Sequence, residues 1–350
     1  MKKDVLFVDV HQFGQLTDLV KWCEYLKGER NIRVLCFDKG KQKVIMPGVN
    51  VTYLHYYHNK AIRGIYFLLV ASLLCLFYQG FIFVEFFPKC YLLKKFLRFK
   101  KMHIDYRTLS IHKDKKLRIA ENADMQRALS VYDTASFISE GIKNQMCLRE
   151  GQKFFILPLG ADIISLVNKS FDQLNLLYIG TLRNRRIIDT VKGVEIFIMD
   201  NPSISINYDI VGDGDELEDL KNYVASHNLS KYVKLYGRKP YNELKQFLDK
   251  DNIGISYIPI VDYYQHQPPT KTFEYILSGL YCVATDTDSN REVINNNGIL
   301  INDDPESFAN SLNAIYDNQR YLDSEKIRNT LLDYQWKEII KKHLIPIVEL

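Results

Sequence analysis

Apolar and polar positions along this 350-residue chain switch repeatedly between a period of two and a period near 3.6. "DVLFVDV" (4–10), "NIRVLCFD" (31–38) and "VNVTYLHYY" (49–57) read as strands, and residues 15–28 carry Leu16, Leu19, Val20 and Leu26 at helical spacing. A very apolar helix is predicted at 61–78, then a strand at 81–87, a helix at 90–100 and a strand at 101–109. A polar helix near 113–130, a strand at 134–139, a helix at 140–149 and the run "KFFILPLGAD" (153–162) follow. Several of these strands are near-continuous apolar runs, which predicts parallel βαβ units covered on both sheet faces.

After "ADIISLVNKSFDQ" (161–173), where periodicity is lost, the pattern restarts. Strands are predicted at 174–182, 205–215, 233–238, 253–259 and 281–286, separated by helices at 186–200, 216–228, 241–250 and 270–279. The expected fold class is therefore α/β, with two Rossmann-like doubly wound domains at 1–165 and 166–330. A terminal helix, 331–350, carries Trp336 and is left open to pack on either domain, the first included. Two such domains facing each other would create a central cleft at the carboxyl ends of their strands, where folds of this kind bind ligands.

Composition narrows the class. The chain is 47% hydrophobic and 25% charged, with few Pro and Gly, so it is an ordered globular protein. Cysteines 23, 36, 75, 90, 147 and 282 form no Cys-x-x-Cys pair and lie in apolar surroundings, as buried reduced thiols of a cytoplasmic protein would. The N-terminal "MKKDVLFVDV" has only a short apolar run, and reads as a first strand rather than a signal peptide.

Net charge is +4, unevenly placed: residues 89–118 hold eleven Lys/Arg against two Asp, a local +9 that leaves −5 for the remainder. Such a segment is either a solvated basic face or a patch for an anionic surface or a phosphorylated substrate. Nucleic acid is not expected, because no aromatic platform or helix-turn-helix accompanies the charge. The apolar stretch "GIYFLLVASLLCLF" (64–77) is short of the ~20 residues that span a bilayer, and is expected to be buried between sheet and neighbours. "YLLKKFLRFKK" (91–101) mixes aromatics, leucines and five cations, the composition of a helix resting on an anionic membrane.

The candidate chemistry lies in "QPPTKTFEYILSG" (267–279). With Thr270 as N-cap, Phe273, Ile276, Leu277 and Leu280 form one buried face, and Lys271, Glu274 and Ser278 another. A helix N-terminus with a mobile cation can seat a phosphate, and a carboxylate one turn in suits the hydroxyls of a ribose. The alternative is an i,i+3 surface pair between Lys271 and Glu274, worth a few tenths of a kcal/mol.

An ordered series of segments comprises "ILPLGAD" (156–162), "LYIGTLRNRR" (177–186), "YDIVGDGDELEDL" (208–220) and "VKLYGRKPYNEL" (233–244). "PPTKTFEYILSGLYCVATD" (268–286), "NNGILINDDPESFANSL" (296–312) and "YQWKEI" (334–339) complete it. Over roughly residues 155–345 this series resembles the retaining GT-B glycosyltransferases of glycosyltransferase family 4, also called glycosyl transferases group 1. The resemblance implies a GT-B fold and transfer of a sugar from a nucleotide-sugar donor to a glycan or lipid-linked acceptor. It implies that Glu274 binds the donor ribose, and that the backbone around Thr270 and Lys271 receives the diphosphate. In the family a basic pair after the first strand of the second domain neutralises that diphosphate. Arg183, Arg185 and Arg186 crowd just behind its first position, and Arg186 and Arg183 are favoured for the role because Arg186 directly precedes the helix. Gly212 belongs to the glycine turn beside the nucleotide. Relatives often have a glutamate at the position of His266, touching the donor sugar. A histidine cannot accept two hydrogen bonds as a carboxylate does, so the sugar is not inherited from the family.

In the first domain Gly14 is expected beside the donor phosphates, and His11 and Arg107 at the acceptor. Asp105 is read either as a general base or as half of a structural salt bridge. Asp213 and Asp215 are read as structural, and no metal or cofactor is expected. Bacterial surface polysaccharide assembly on the inner membrane leaflet would suit the basic segment and its apolar neighbours. A catalytically silent GT-B scaffold that still binds nucleotide is the alternative, motivated by His266 and by Thr181 where the family's first arginine often stands.

Overall fold

The computed structural model describes residues 4–350. Two parallel sheets alternate with helices, and the chain divides into one unit of residues 1–159 with 336–350 and a second of 160–335.

The first unit runs β1 (Asp4–Val8), α1 (Thr17–Leu26), β2 (Asn31–Asp38), β3 (Val49–His55), α2 (Lys60–Phe77), β4 (Phe81–Glu85) and α3 (Tyr91–Phe96). It continues with β5 (His103–Tyr106), α4 (Lys115–Leu129), β6 (Thr134–Phe137), α5 (Glu140–Asn144) and β7 (Lys153–Ile156). The seven strands are parallel in the order β3-β2-β1-β4-β5-β6-β7. Trp336–Val348 closes this unit as a helix with a π-helical middle, burying Trp336, Ile340, Leu344 and Ile347.

The second unit runs β8 (Leu174–Thr181), α6 (Ile187–Asp200), β9 (Ile206–Asp213), α7 (Leu217–Ser226), β10 (Val233–Leu235) and α8 (Leu244–Lys250). Then come β11 (Ile253–Ser256), α9 (Thr270–Leu277), β12 (Tyr281–Thr285), α10 (Asp288–Arg291), β13 (Gly298–Ile301) and α11 (Pro305–Asn318). Its six strands are parallel in the order β10-β9-β8-β11-β12-β13. Strand order in each unit reverses once, between β1 and β4 and between β8 and β11. At such a switch point the loops beyond the carboxyl ends leave in opposite directions and open a crevice.

Four expectations change. The division falls at Leu159/Gly160 rather than 165/166, and the terminal segment starts at Trp336 rather than 331. The aperiodic stretch after 160 is bonded to the second unit: Asn252 donates to the Ser170 and Gln173 carbonyls at 2.7 Å each, and Lys169 to the Asp249 carbonyl at 3.0 Å. The apolar helix is 18 residues long, long and apolar enough by those measures to cross a membrane, and it is not a buried core helix. Only Phe67, Ala71 and Cys75 are buried, while Ile65, Leu69 and Leu73 are each at least 60% exposed. Five cysteines are buried, but Cys147 is exposed.

One contact sets the position of α9. Gly254 in β11 lies under Tyr275, where an added Cβ would come within 2.3 Å of the ring. The Tyr275 hydroxyl accepts from the Ile179 N–H of β8 at 2.7 Å, so one side chain ties α9 to both strands of the switch point. Gly254→Ala should therefore destabilise the protein by about 1–3 kcal/mol, the usual range for overpacking a tight core. Thermal unfolding measures this, and an unchanged melting temperature would show that the contact does not hold the helix.

Candidate active site

The site is built from the loops that follow β8 and β11. Pro269 is the N-cap of α9, and Thr270 is its first residue rather than its cap. No side chain caps this end, and no acidic residue lies in its first turn. The unpaired amides and the positive end of the helix dipole are thus left without a counter-charge from the first turn. The N-terminus of α6, at the other side of the same switch point, differs: Asp189 lies in its first turn and takes the Arg186 guanidinium at 2.7 Å.

Lys271 reaches back to the Glu274 carboxylate and bonds it. Glu274 is only 6% exposed, so the pair is not the solvated surface couple that i,i+3 spacing allows. The remainder of α9 is buried on every side from Thr272 to Leu277. Ser278 is buried too and accepts from the Ser165 N–H at 3.4 Å.

The loop after β8 carries three arginines. Arg183, largely exposed, pairs with Asp215 at 3.1 Å. Arg186 bonds Asp303 at 2.8 Å as well as Asp189. Arg185 stacks its guanidinium 4.9 Å from the ring of Tyr264, in the loop leading to α9, and its Nη1 is buried without a hydrogen-bond partner. Arg185 therefore bridges the two loops of the switch point, a role that spacing did not single out. Its signal is the aromatic pair Tyr263–Tyr264 in the facing loop. His266 lies in that loop with Nδ1 3.4 Å from Asp288.

Gly212 is buried, with the Gly180 carbonyl 2.0 Å from where its Cβ would stand. It lets β8 and β9 approach and shapes the arginine loop from beneath, so it is not placed as a ligand contact. Asp213 accepts from the Gly214 N–H at 2.8 Å, and Asp215 holds Arg183. Arg183, Arg186, His266, Thr270, Lys271 and Glu274 all stand at the carboxyl ends of β8 and β11.

In the first unit the loop after β1 carries His11, half-exposed, with Nδ1 2.9 Å from Asp9, and the exposed Gly14 at φ +100°. Asp9, His11 and Glu85 bring three possible ligand atoms within 4.8 Å of one another. Burial, with Asp9 and Asp105 nearby, raises the Glu85 carboxyl well above the usual carboxylate range. A cation there would have to displace the Glu85 proton and the Asp9–His11 bond.

Asp105 and Arg107 do not occupy the places expected of them. Asp105 has no exposed surface and accepts from the Ser136 hydroxyl, which in turn is 2.8 Å from His103 Nε2. His103 Nδ1 is 2.8 Å from the Thr134 hydroxyl, which closes the chain. Arg107 donates to the Leu157 carbonyl at 2.7 Å and pairs with Asp18 at 2.6 Å. A general base must touch the proton it removes, and a side chain sealed in this way touches none. Asp105 and Arg107 are the structural pair of the two readings, and Arg107 fastens β7 and α1 rather than an acceptor.

Among curated and solved proteins the chain has clear relatives. Residues 173–318 match the family described as Glycosyl transferases group 1. The "Uncharacterized glycosyltransferase MJ1178" of Methanocaldococcus jannaschii is 29% identical over 113 residues, which are 32% of this chain and 30% of that protein. The chain thus aligns with under a third of that curated relative's length. Sucrose-phosphate synthase from Thermosynechococcus elongatus superposes with TM-score 0.77 at 14% identity, over 99% of this chain and 98% of that one. Anabaena HepE, in complex with UDP and glucose, gives 0.76 at 12% identity over 99% and 100%. The lipopolysaccharide outer core galactosyltransferase WaaB gives 0.71 at 16% over 97% of each chain. The chain has the GT-B fold. The stretch that matches glycosyl transferases group 1 covers most of its second unit.

The sealed carboxyl carries a pH signature. Burial raises Asp105 to about 6, while Arg107 and the Ser136 bond act in the opposite direction. A carboxyl with a raised folded pKa holds its proton more tightly when folded, so the stability it contributes is lost as pH rises from about 4 to about 6. Asp105→Asn should gain on the wild type by roughly 3 kcal/mol over that interval and by nothing further above it. Urea unfolding of both proteins at several pH values measures the difference, and a pH-independent difference would contradict it.

Proposed function

We propose that this protein is a glycosyltransferase that moves a sugar from a nucleotide-sugar donor to a glycan or lipid-linked acceptor. The observation that carries the reading is the uncapped N-terminus of α9 with Lys271 and Glu274 beside it, at the switch point of the group 1 domain. The amides of Thr270 and Lys271 receive the donor diphosphate, and Lys271 leaves Glu274 to join it. Glu274 then accepts from the ribose hydroxyls. Arg185, with Arg183 and Arg186 released from their carboxylates, neutralises the charge that grows on the departing diphosphate. HepE has been solved with UDP, which makes uridine nucleotides the first donors to try.

Transfer proceeds with retention: the bond from the anomeric carbon to the phosphate oxygen breaks as the acceptor oxygen bonds that carbon on the same face. The acceptor proton passes to the leaving phosphate oxygen, and no metal is required. His266 stands where relatives often have a carboxylate, so the donor sugar is one that can be held by a single ring nitrogen or by the loop backbone. The acceptor binds the first unit, with His11 and the loop around Gly14 at its reacting end. The role we assign is bacterial surface polysaccharide assembly at the cytoplasmic face of the plasma membrane, with the basic segment 89–118 towards the anionic leaflet.

Glu274→Ala should weaken UDP binding by roughly ten- to a hundredfold, the loss expected for hydrogen bonds to a charged group, and abolish transfer. Calorimetric titration and a labelled nucleotide-sugar panel read the two effects. Unchanged affinity and activity would show that the site is elsewhere. Nucleotide binding by the wild type with no turnover of any donor would leave the scaffold reading.

A further inference from the structure

Arg186 is held more firmly than the other two arginines of its loop. It caps α6 with a left-handed backbone at φ +56°, and Asn184, two residues earlier, has the same φ. Residues other than glycine keep such a conformation only where their surroundings hold it. The side chain supplies one such hold. Nη2 of Arg186 lies 2.7 Å from the Asp189 carboxylate, and Nη1 donates to Asp303 Oδ2 at 2.8 Å. Nη2 also donates to the Asp303 carbonyl at 3.1 Å.

The two carboxylates differ in origin. Asp189 belongs to the first turn of α6, is 7% exposed and accepts from the Tyr257 hydroxyl at 3.4 Å. Asp303 comes from the loop after β13, and its Oδ2 also accepts from the Ile260 N–H at 3.1 Å. Ile260 lies in the loop that leads from β11 to His266 and α9. One carboxylate thereby joins the loops that follow β8, β11 and β13.

Its bonds are those a phosphate oxygen makes: a single anionic oxygen takes a guanidinium and a backbone N–H together. The charge is also over-matched. One guanidinium faces two carboxylates, a net −1 at the end of α6 where the transferase reading brings a diphosphate. Arg185 contrasts with this, since it stacks on Tyr264 and keeps a buried Nη1 without a hydrogen-bond partner. It needs no release.

We propose that Asp303 is a built-in competitor of the donor phosphate: its carboxylate holds Arg186, yields it to the diphosphate, and so limits the affinity of the donor site. The inference rests on the transferase reading for the diphosphate, and adds the residue that opposes its binding. Asp189 stays with Arg186 throughout, because it is nearly buried and would be costly to leave unpaired. The Asp303 side chain, 26% exposed, is released to water and keeps the Ile260 N–H.

Asp303→Asn removes the charge but preserves the shape and an oxygen for the Ile260 N–H. It should raise UDP affinity by about two- to fivefold, the worth of a half-exposed ion pair expressed as an equilibrium constant. The gain should shrink at high salt, which screens exposed charges. Asp303→Glu keeps the charge and alters the shape, so it should bring no gain. In an Arg186→Gln background Asp303→Asn should add little, since the competitor acts through the guanidinium. Calorimetric titration with UDP at low and high salt reads these effects, and melting temperatures check the fold. Damage to the loop lowers affinity, whereas the proposal requires a rise. Asp303→Ser also removes the charge and should give the same direction, which keeps the test open if Asp303→Asn folds poorly. Unchanged or lower UDP affinity in the uncharged variants overturns the proposal, as does an equal gain in the Arg186→Gln background. UDP binding that depends on Glu274 but ignores Asp303 sinks this inference alone. Failure of the wild type and every variant to bind UDP removes the transferase reading and this inference together.

Discussion

The candidate site depends on how one helix is seated. Tyr275 is wedged between Gly254 beneath its ring and the Ile179 amide at its hydroxyl, so α9 cannot slide along the sheet. Its N-terminus is therefore fixed beside the carboxyl ends of β8 and β11. Everything proposed for donor binding follows from that placement: free amides at the helix end, Lys271 one residue in and Glu274 one turn in. The burial of the helix from Thr272 to Leu277 supplies the rigidity that a preorganised anion seat needs.

Electrostatics divides the two units. In the second, Arg183, Arg186 and Lys271 of the switch-point loops are matched by carboxylates, which a diphosphate would have to displace. Exposed pairs such as Arg183–Asp215 contribute little and yield cheaply, whereas releasing the nearly buried Glu274 requires a replacement partner, which a ribose provides. In the first, the charges near β5 are sealed into the fold, where they specify structure.

Much of this was legible in the sequence. The alternation of apolar runs marks β1–β6 and β8–β12, because parallel strands are apolar on both faces and end sharply, and leaves the four-residue β13 unmarked. The division at Leu159/Gly160 was less legible: the stretch after it is held by Asn252 and Lys169, bonds that no periodicity reveals. Periodicity also shows which positions are apolar without showing what covers them, and so α2 was read as buried when its stripe is exposed. Asp105 and Arg107 were placed at the end of the right strand, but only the β5–β6 register exposes the chain through Ser136 and His103 that encloses the carboxylate. Arg185 was passed over for its neighbours because stacking on Tyr264 is a contact across 79 positions of sequence.

The central claim is that α9 seats the diphosphate of a nucleotide. Crystals grown with UDP test it most directly. The account predicts the diphosphate against the Thr270 and Lys271 amides, the ribose hydroxyls on Glu274 and the Lys271–Glu274 bond broken. A nucleotide bound anywhere else, or one bound with that ion pair intact, would contradict it.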